Sequence, residues 1–162
     1  MDNPDDGSKF ESRPPTVRDL LSLCRELNKH QARYIVIEGM AIISAGFTRA
    51  TEDIELLVDA APENQERLRA ALLSLPDQAV RDVAPDDLGK YAVVRVADEF
   101  VIDLMKSAGG MQYDQARPLV EMKNVDGVEI PFASAELLWK LKQTGRAKDA
   151  LDLLFLKELL RK

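Results

Sequence analysis

The chain has 162 residues, 46% hydrophobic and 31% charged, with a formal net charge of −6. That balance suits one globular domain, excludes a fibrous or wholly disordered chain, and denies the molecule the broad positive surface that non-specific nucleic-acid binding uses. No apolar run approaches the roughly 20 residues that span a bilayer, and the acidic N-terminus lacks a signal-peptide pattern, so no membrane association and a cytoplasmic location are expected.

Residues 1–15 are polar and rich in Pro, Asp and Ser, which predicts a flexible tail ahead of a single domain over 16–162. Thr16 and Asp19 have the spacing of a capping box, and Val17, Leu20, Leu21, Cys24 and Leu27 recur at helical intervals, predicting a first helix from Val17 to His30. Cys24 falls on its apolar stripe and is expected to be a packed thiol. With a single Cys and a single His, no zinc site forms from those residues, and no motif supports a hydrolase built on His30.

The β-branched run Arg33–Glu38 stops at Gly39, which predicts a buried strand entering a turn, followed by a short helix over Met40–Ala45. After a turn-like stretch over 46–51, Asp53–Asp59 reads as a second strand, and Pro62 starts a helix with Leu68, Ala71, Leu72 and Leu75 inward. Lys90–Ala97 and Phe100–Met105 read as a hairpin across a tight Asp98–Glu99 turn. Leu119–Val125 and Val128–Phe132, joined by Asp126–Gly127, read as a further small ribbon. Ser134 caps a helix carrying Leu137, Leu138 and Leu141, and Gly145 separates it from a last helix over Ala147–Leu160. The order gives an α+β domain: a mixed-sheet core over 16–132 and a C-terminal helical pair over 133–162.

The chemistry concentrates in three carboxylates. Strand alternation puts Asp53 and Glu55 on one face, where adjacent anions repel unless a cation lies between them, and Mg²⁺ suits such oxygen donors. Asp103 interrupts an apolar run where an unpaired charge is expensive to bury. If its strand lies beside the first pair, Asp103 completes the metal site or takes the proton of an attacking hydroxyl. Taken singly, the pair also reads as a solvated strand end and Asp103 as an edge residue.

The run Gly39-x-Ala41 through Arg49-x-Thr51-x-Asp53-x-Glu55, followed by an apolar strand, resembles the signature of the DNA-polymerase-β-like nucleotidyltransferases. The similarity is to the small bacterial branch of abortive-infection-type toxins and minimal nucleotidyltransferases. The C-terminal order Lys142, Arg146, Lys148–Asp149 and Asp152 resembles that branch too.

The resemblance implies a Mg²⁺-dependent enzyme that moves a nucleoside monophosphate from an NTP, ATP or another ribonucleotide, onto a hydroxyl of a protein, RNA or small molecule. It implies Asp53, Glu55 and Asp103 as metal-binding and catalytic residues. Gly39 belongs to the turn that holds the triphosphate through backbone amides, and Ser44, Arg49 and Thr51 belong to the nucleotide-binding segment. Lys142, Arg146 and Lys148 meet phosphate or acceptor, or else form helix ion pairs, since Lys148 and Asp152 are four apart and Arg146 and Asp149 three apart.

Two residues depart from the pattern: Glu38-Gly39 stands where the family usually has Gly-Gly or Gly-Ser, and Glu55 stands where the second metal ligand is usually Asp. They motivate one alternative, a nucleotidyltransferase-fold binding or regulatory protein without catalysis; the resemblance to the toxin branch adds another, the toxin of a toxin–antitoxin pair with an antitoxin partner.

Overall fold

The computed structural model describes residues 11–143 and 149–162. Helix α1 (Val17–Lys29) begins at the capping box: the Thr16 hydroxyl accepts from the Asp19 amide, and the Asp19 carboxylate accepts from the Thr16 amide at 2.7 Å. Its stripe of Leu20, Leu23, Cys24 and Leu27 is buried against the sheet and α3 (Pro62–Leu72). Strand β1 (Tyr34–Ile37) is buried at all four positions, which requires cover on both faces. The chain turns directly from it into α2 (Glu38–Ser44), then into β2 (Asp53–Val58).

After α3 come a helical turn α4 (Asp87–Lys90), β3 (Val94–Ala97), β4 (Val101–Met105), the short pair β5 (Ser107–Ala108) and β6 (Met111–Gln112), and α5 (Tyr113–Ala116). Strands β7 (Val120–Val125) and β8 (Val128–Ala133) precede α6 (Ala135–Leu141) and α7 (Ala150–Leu160). Six strands form one mixed sheet in the order β3-β4-β2-β1-β8-β7. The β1–β2, β3–β4 and β7–β8 pairs are antiparallel, whereas β2–β4 and β1–β8 are parallel. The molecule is thus α+β, with the C-terminal helices α6 and α7 packed together and α6 also against α2. Among the described residues, no helix is long and apolar enough to cross a membrane.

Three local expectations need correction. The 120–133 hairpin is no separate ribbon, because Val36 pairs with Phe132 and draws β8 into the main sheet. Residues from Lys90 to Val93 are not strand: Lys90 closes α4, and Tyr91 and Val93 are exposed, lacking the cover that would hold them in the sheet. The β3–β4 connection is a three-residue loop rather than two, with Ala97 facing Val101. Its cause is Asp98, only 3% exposed, whose carboxylate accepts from the amides of Asp77, Ala79 and Glu99 at 2.8–2.9 Å and so bends the chain around itself.

At the chain's start, Ser12 donates to the Asp98 carbonyl at 2.7 Å and the Arg13 amide to the Glu99 carbonyl at 2.9 Å, which ties part of the expected tail to the same loop. Residues 1–10 of that tail, and the Gly145 break with the first two residues of the expected last helix, lie outside the described residues.

Asp98→Ala removes the acceptor of three part-buried amides and is expected to cost roughly 1–3 kcal/mol, since a typical hydrogen bond contributes about 0.5–1.5 kcal/mol and water reaches part of the loop. Urea denaturation of the variant checks this, and a loss below about 0.5 kcal/mol would show that the loop does not depend on the carboxylate.

Candidate active site

Parallel pairing of β2 with β4 places Glu55 directly beside Asp103 and Asp53 beside Val101. Carboxylate oxygens of Asp53, Glu55 and Asp103 consequently lie within 4.8 Å of one another. On β2 the alternation is visible: Ile54 and Leu56 are fully buried, whereas Asp53 and Glu55 are only partly so. The three acids line a cavity of about 460 Å³, whose lining also includes Gly39, Arg49, Thr51, Arg95, Lys142 and Asp152. Among the described residues the lining carries seven carboxylates, on Glu38, Glu52, Asp53, Glu55, Asp103, Asp149 and Asp152, against the cations of Arg49, Arg95 and Lys142.

That excess of negative charge shows in Glu55. Burial, followed by the charges of Glu38, Asp53 and Asp103, pushes its carboxyl up from an ordinary 4.5 to about 8, with Lys142 acting in the opposite sense. Arg95 answers part of the charge: on β3 it faces Asp103, donating Nε to Oδ1 at 2.9 Å and Nη2 to Oδ2 at 3.0 Å, and it lies 3.5 Å from Asp53. The hydrogen bonds and charge of Asp103 raise the Arg95 guanidinium above its ordinary range.

Lys142 is the second answer. Its side chain is 1% exposed and its Nζ donates to Glu38 at 2.5 Å, to Asp149 at 2.9 Å and to Asp152, 3.1 Å away. Burial alone lowers an ammonium pKa, but Glu38 by charge and hydrogen bond, with Asp149 and Asp152, outweighs it and the net direction is upward. Asp152 is also held by a bidentate fork from Arg49, both contacts at 2.9 Å. Lys142 therefore ties the β1–α2 junction to the start of α7, and with three carboxylates already on its ammonium it is not free to receive a phosphate. Asp149 meets Lys142, and Asp152 meets both Lys142 and Arg49; the expected partners Arg146 and Lys148 lie outside the described residues.

Glu38 adopts φ 58, the left-handed region where a side chain costs about 1–2 kcal/mol relative to glycine. Its neighbour Gly39 is needed for space, not for its backbone angle: a Cβ there would stand 2.3 Å from Thr51 Oγ1 and 2.8 Å from Thr51 Cβ. The turn thus packs on the loop that delivers β2, and Thr51 itself donates to the Asp53 carbonyl at 3.1 Å.

Ser44 does not join this group. It closes α2 and receives Lys123 of β7 on both its hydroxyl and its carbonyl at 2.9 Å, outside the cavity lining. Cys24 is buried with its thiol pushed up to about 12 by burial, which makes it inert as a nucleophile, and His30 caps α1 near Glu26. Sequence reasoning missed Arg95, because the assumed two-residue turn shifts the β3–β4 register by one and moves it away from Asp103. It also missed the stacked pair Phe47–Phe155, centroids 5.0 Å apart, although Phe47 lines the cavity.

Gly39→Ala is expected to destabilise the fold by about 1–3 kcal/mol through overpacking on Thr51, and Thr51→Gly to restore most of that loss in the double variant. Chemical denaturation of the four-member cycle checks the coupling; additive losses would contradict the contact.

A second outcome concerns pH. Because Glu55 is raised in the folded state, its contribution to stability is full below about pH 4.5 and is lost as pH rises through about 8. In metal-free buffer, Glu55→Gln is expected to match the native chain at pH 4.5 and to melt several degrees higher at pH 9. A difference independent of pH would show that Glu55 is not strained by its neighbours.

No protein-family model matches the sequence, and no curated protein matches it either. Solved structures do. The candidate nucleotidyltransferase TM1012 of Thermotoga maritima superposes with a TM-score of 0.54 at 16% identity, covering 90% of this chain and 89% of that one. The lincosamide antibiotic adenylyltransferase LnuA, in a lincomycin-bound structure, gives 0.57 at 16% identity over 91% and 99% of the two chains. An antigenic nucleotidyltransferase-like protein from Paracoccidioides brasiliensis gives 0.53 at 17% identity over 88% and 76%. With the mixed sheet and the paired carboxylate strands, these likenesses establish that this chain has the nucleotidyltransferase fold.

Proposed function

We propose that the protein is a divalent-metal-dependent nucleotidyltransferase that moves a nucleoside monophosphate from an NTP onto an acceptor hydroxyl. The observation that carries this reading is the gathering of Asp53, Glu55 and Asp103 in the lining of one cavity. Three hard oxygen donors within 4.8 Å of one another are the donor set a Mg²⁺ ion takes. A triphosphate brings further negative charge to a lining with seven acids and three cations, so the residues fit a bound cation rather than an empty acidic floor. When bound, Mg²⁺ supplies neutralisation of charge on the phosphates and on the leaving group.

In the reaction the acceptor oxygen forms the new bond to the α-phosphorus as the bond to pyrophosphate breaks. Asp53 and Glu55 hold the cation from β2. Asp103 stands either to complete that site or to take the acceptor's proton. Gly39 lets the turn after β1 approach the Thr51 loop, and Phe47 with Leu151 offers an apolar wall for a base or an acceptor. LnuA is named an adenylyltransferase, so ATP is the first donor to test.

A second reading, nucleotide binding without transfer, is favoured by Glu38, whose carboxylate occupies both the residue before Gly39 and the ammonium of Lys142.

Labelled ATP, GTP, CTP and UTP with Mg²⁺, offered with RNA, cell-extract proteins and small hydroxyl compounds, tests the reading. Transfer is expected to fall by about 10²-fold or more in Glu55→Gln and Asp53→Asn with the fold intact, and to persist in Glu55→Asp. Mg²⁺-dependent binding with no transfer to any acceptor would select the second reading. A Glu55→Ala protein that transfers as well as the native chain would defeat the first.

A further inference from the structure

Arg95 differs from the other cations of the cavity in being bound firmly yet loosely housed. Its guanidinium reaches two of the three clustered acids, taking both oxygens of Asp103 at 2.9 and 3.0 Å and lying 3.5 Å from Asp53. Lys142 is 1% exposed, whereas the Arg95 side chain is 60% exposed, so withdrawing it unpacks nothing in the core. Arg95 also lines a second cavity, of about 310 Å³, whose other lining residues include Asp82, Asp87 and Tyr91. Arg95 therefore lines both cavities, one with the triad and the other with Asp82 and Asp87.

We propose that Arg95 is the resident counter-ion of the acidic cluster. It holds Asp53 and Asp103 while the cluster carries no divalent cation, and withdraws toward Asp82 in the second cavity when the cluster takes one. The proposal rests on the metal reading of the triad given above. Its physical basis is that a guanidinium within 4 Å of two ligand carboxylates both screens their mutual repulsion and repels an arriving dication. An exposed arginine can leave while keeping a charge partner only if one is within its sweep. Asp82 and Asp87, which line the second cavity together with Arg95, are the carboxylates that answer this need.

Mn²⁺ titration of the nucleotide-free full chain, followed by electron paramagnetic resonance, tests this without any activity. Removing a like charge at this range shifts an ionic equilibrium by about one to three decades, so Arg95→Gln is expected to bind Mn²⁺ about tenfold more tightly, with Arg95→Lys between it and the native chain. Asp82→Asn is expected to weaken Mn²⁺ binding about threefold in the native background, where Arg95 loses its second partner, and to change nothing beside Arg95→Gln. Thermal melts confirm that each variant unfolds cooperatively. Unchanged or weaker Mn²⁺ binding in Arg95→Gln overturns the proposal. An Asp82→Asn effect of equal size in both backgrounds, or in neither, overturns the withdrawal to Asp82. The metal reading fails separately if the double variant Asp53→Asn, Glu55→Gln binds Mn²⁺ like the native chain.

Discussion

The parallel pairing of β2 with β4 governs everything at the site, because only in that register do Glu55 and Asp103 stand side by side. Side-chain alternation then places Asp53 on the same face as Glu55, while Ile54, Leu56, Ile102 and Leu104 close the core behind them. Slipping β4 by one residue would send Asp103 to the opposite face and an apolar residue into the cavity. The large buried surface of those neighbours therefore fixes the acids as firmly as it fixes the sheet.

Holding anions together in this way costs stability, and the structure offsets that cost with cations drawn from elsewhere in the chain. Arg95 comes from β3, Arg49 from the loop before β2, and Lys142 from the end of α6. Each meets carboxylates from a different element, so the ion pairs also set tertiary positions: Lys142 joins α2 to α7, and Arg49 joins the β2 approach to α7. Removing one partner of a pair as buried as Lys142 with Asp149 typically costs about 3–5 kcal/mol. The C-terminal helices are thereby locked to the site they border.

Glu38 and Glu55 show the same tension between stability and charge. Glu55 carries a carboxyl raised to about 8 by burial and neighbouring anions, and Glu38 holds a left-handed backbone that glycine would adopt without strain. What keeps Glu38 in place is the buried ammonium of Lys142, 104 residues away in sequence. Strain at both positions borders the same cavity, where unfavourable local choices are tolerated for the chemistry they allow.

The sequence by itself determined the elements whose signals are local. The Thr16–Asp19 capping box, the β-branched run of β1, Pro62 at the start of α3, the Asp126–Gly127 hairpin and the Ser134 cap each specify a conformation through neighbours a few residues away. Asp53, Glu55 and Asp103 were legible as well, since carboxylates in apolar strands are expensive without a shared purpose. Tertiary structure alone decided the rest. Whether the second hairpin stood apart or joined the sheet rested on the parallel pairing of β8 with β1, Val36 against Phe132, and the partner of Arg95 rested on a single extra loop residue held by the buried Asp98. The pairing of Lys142 with Glu38 and of Arg49 with Asp152 spans more than 100 residues in each case, and no periodicity or spacing encodes a contact that exists only once the sheet has brought those elements together.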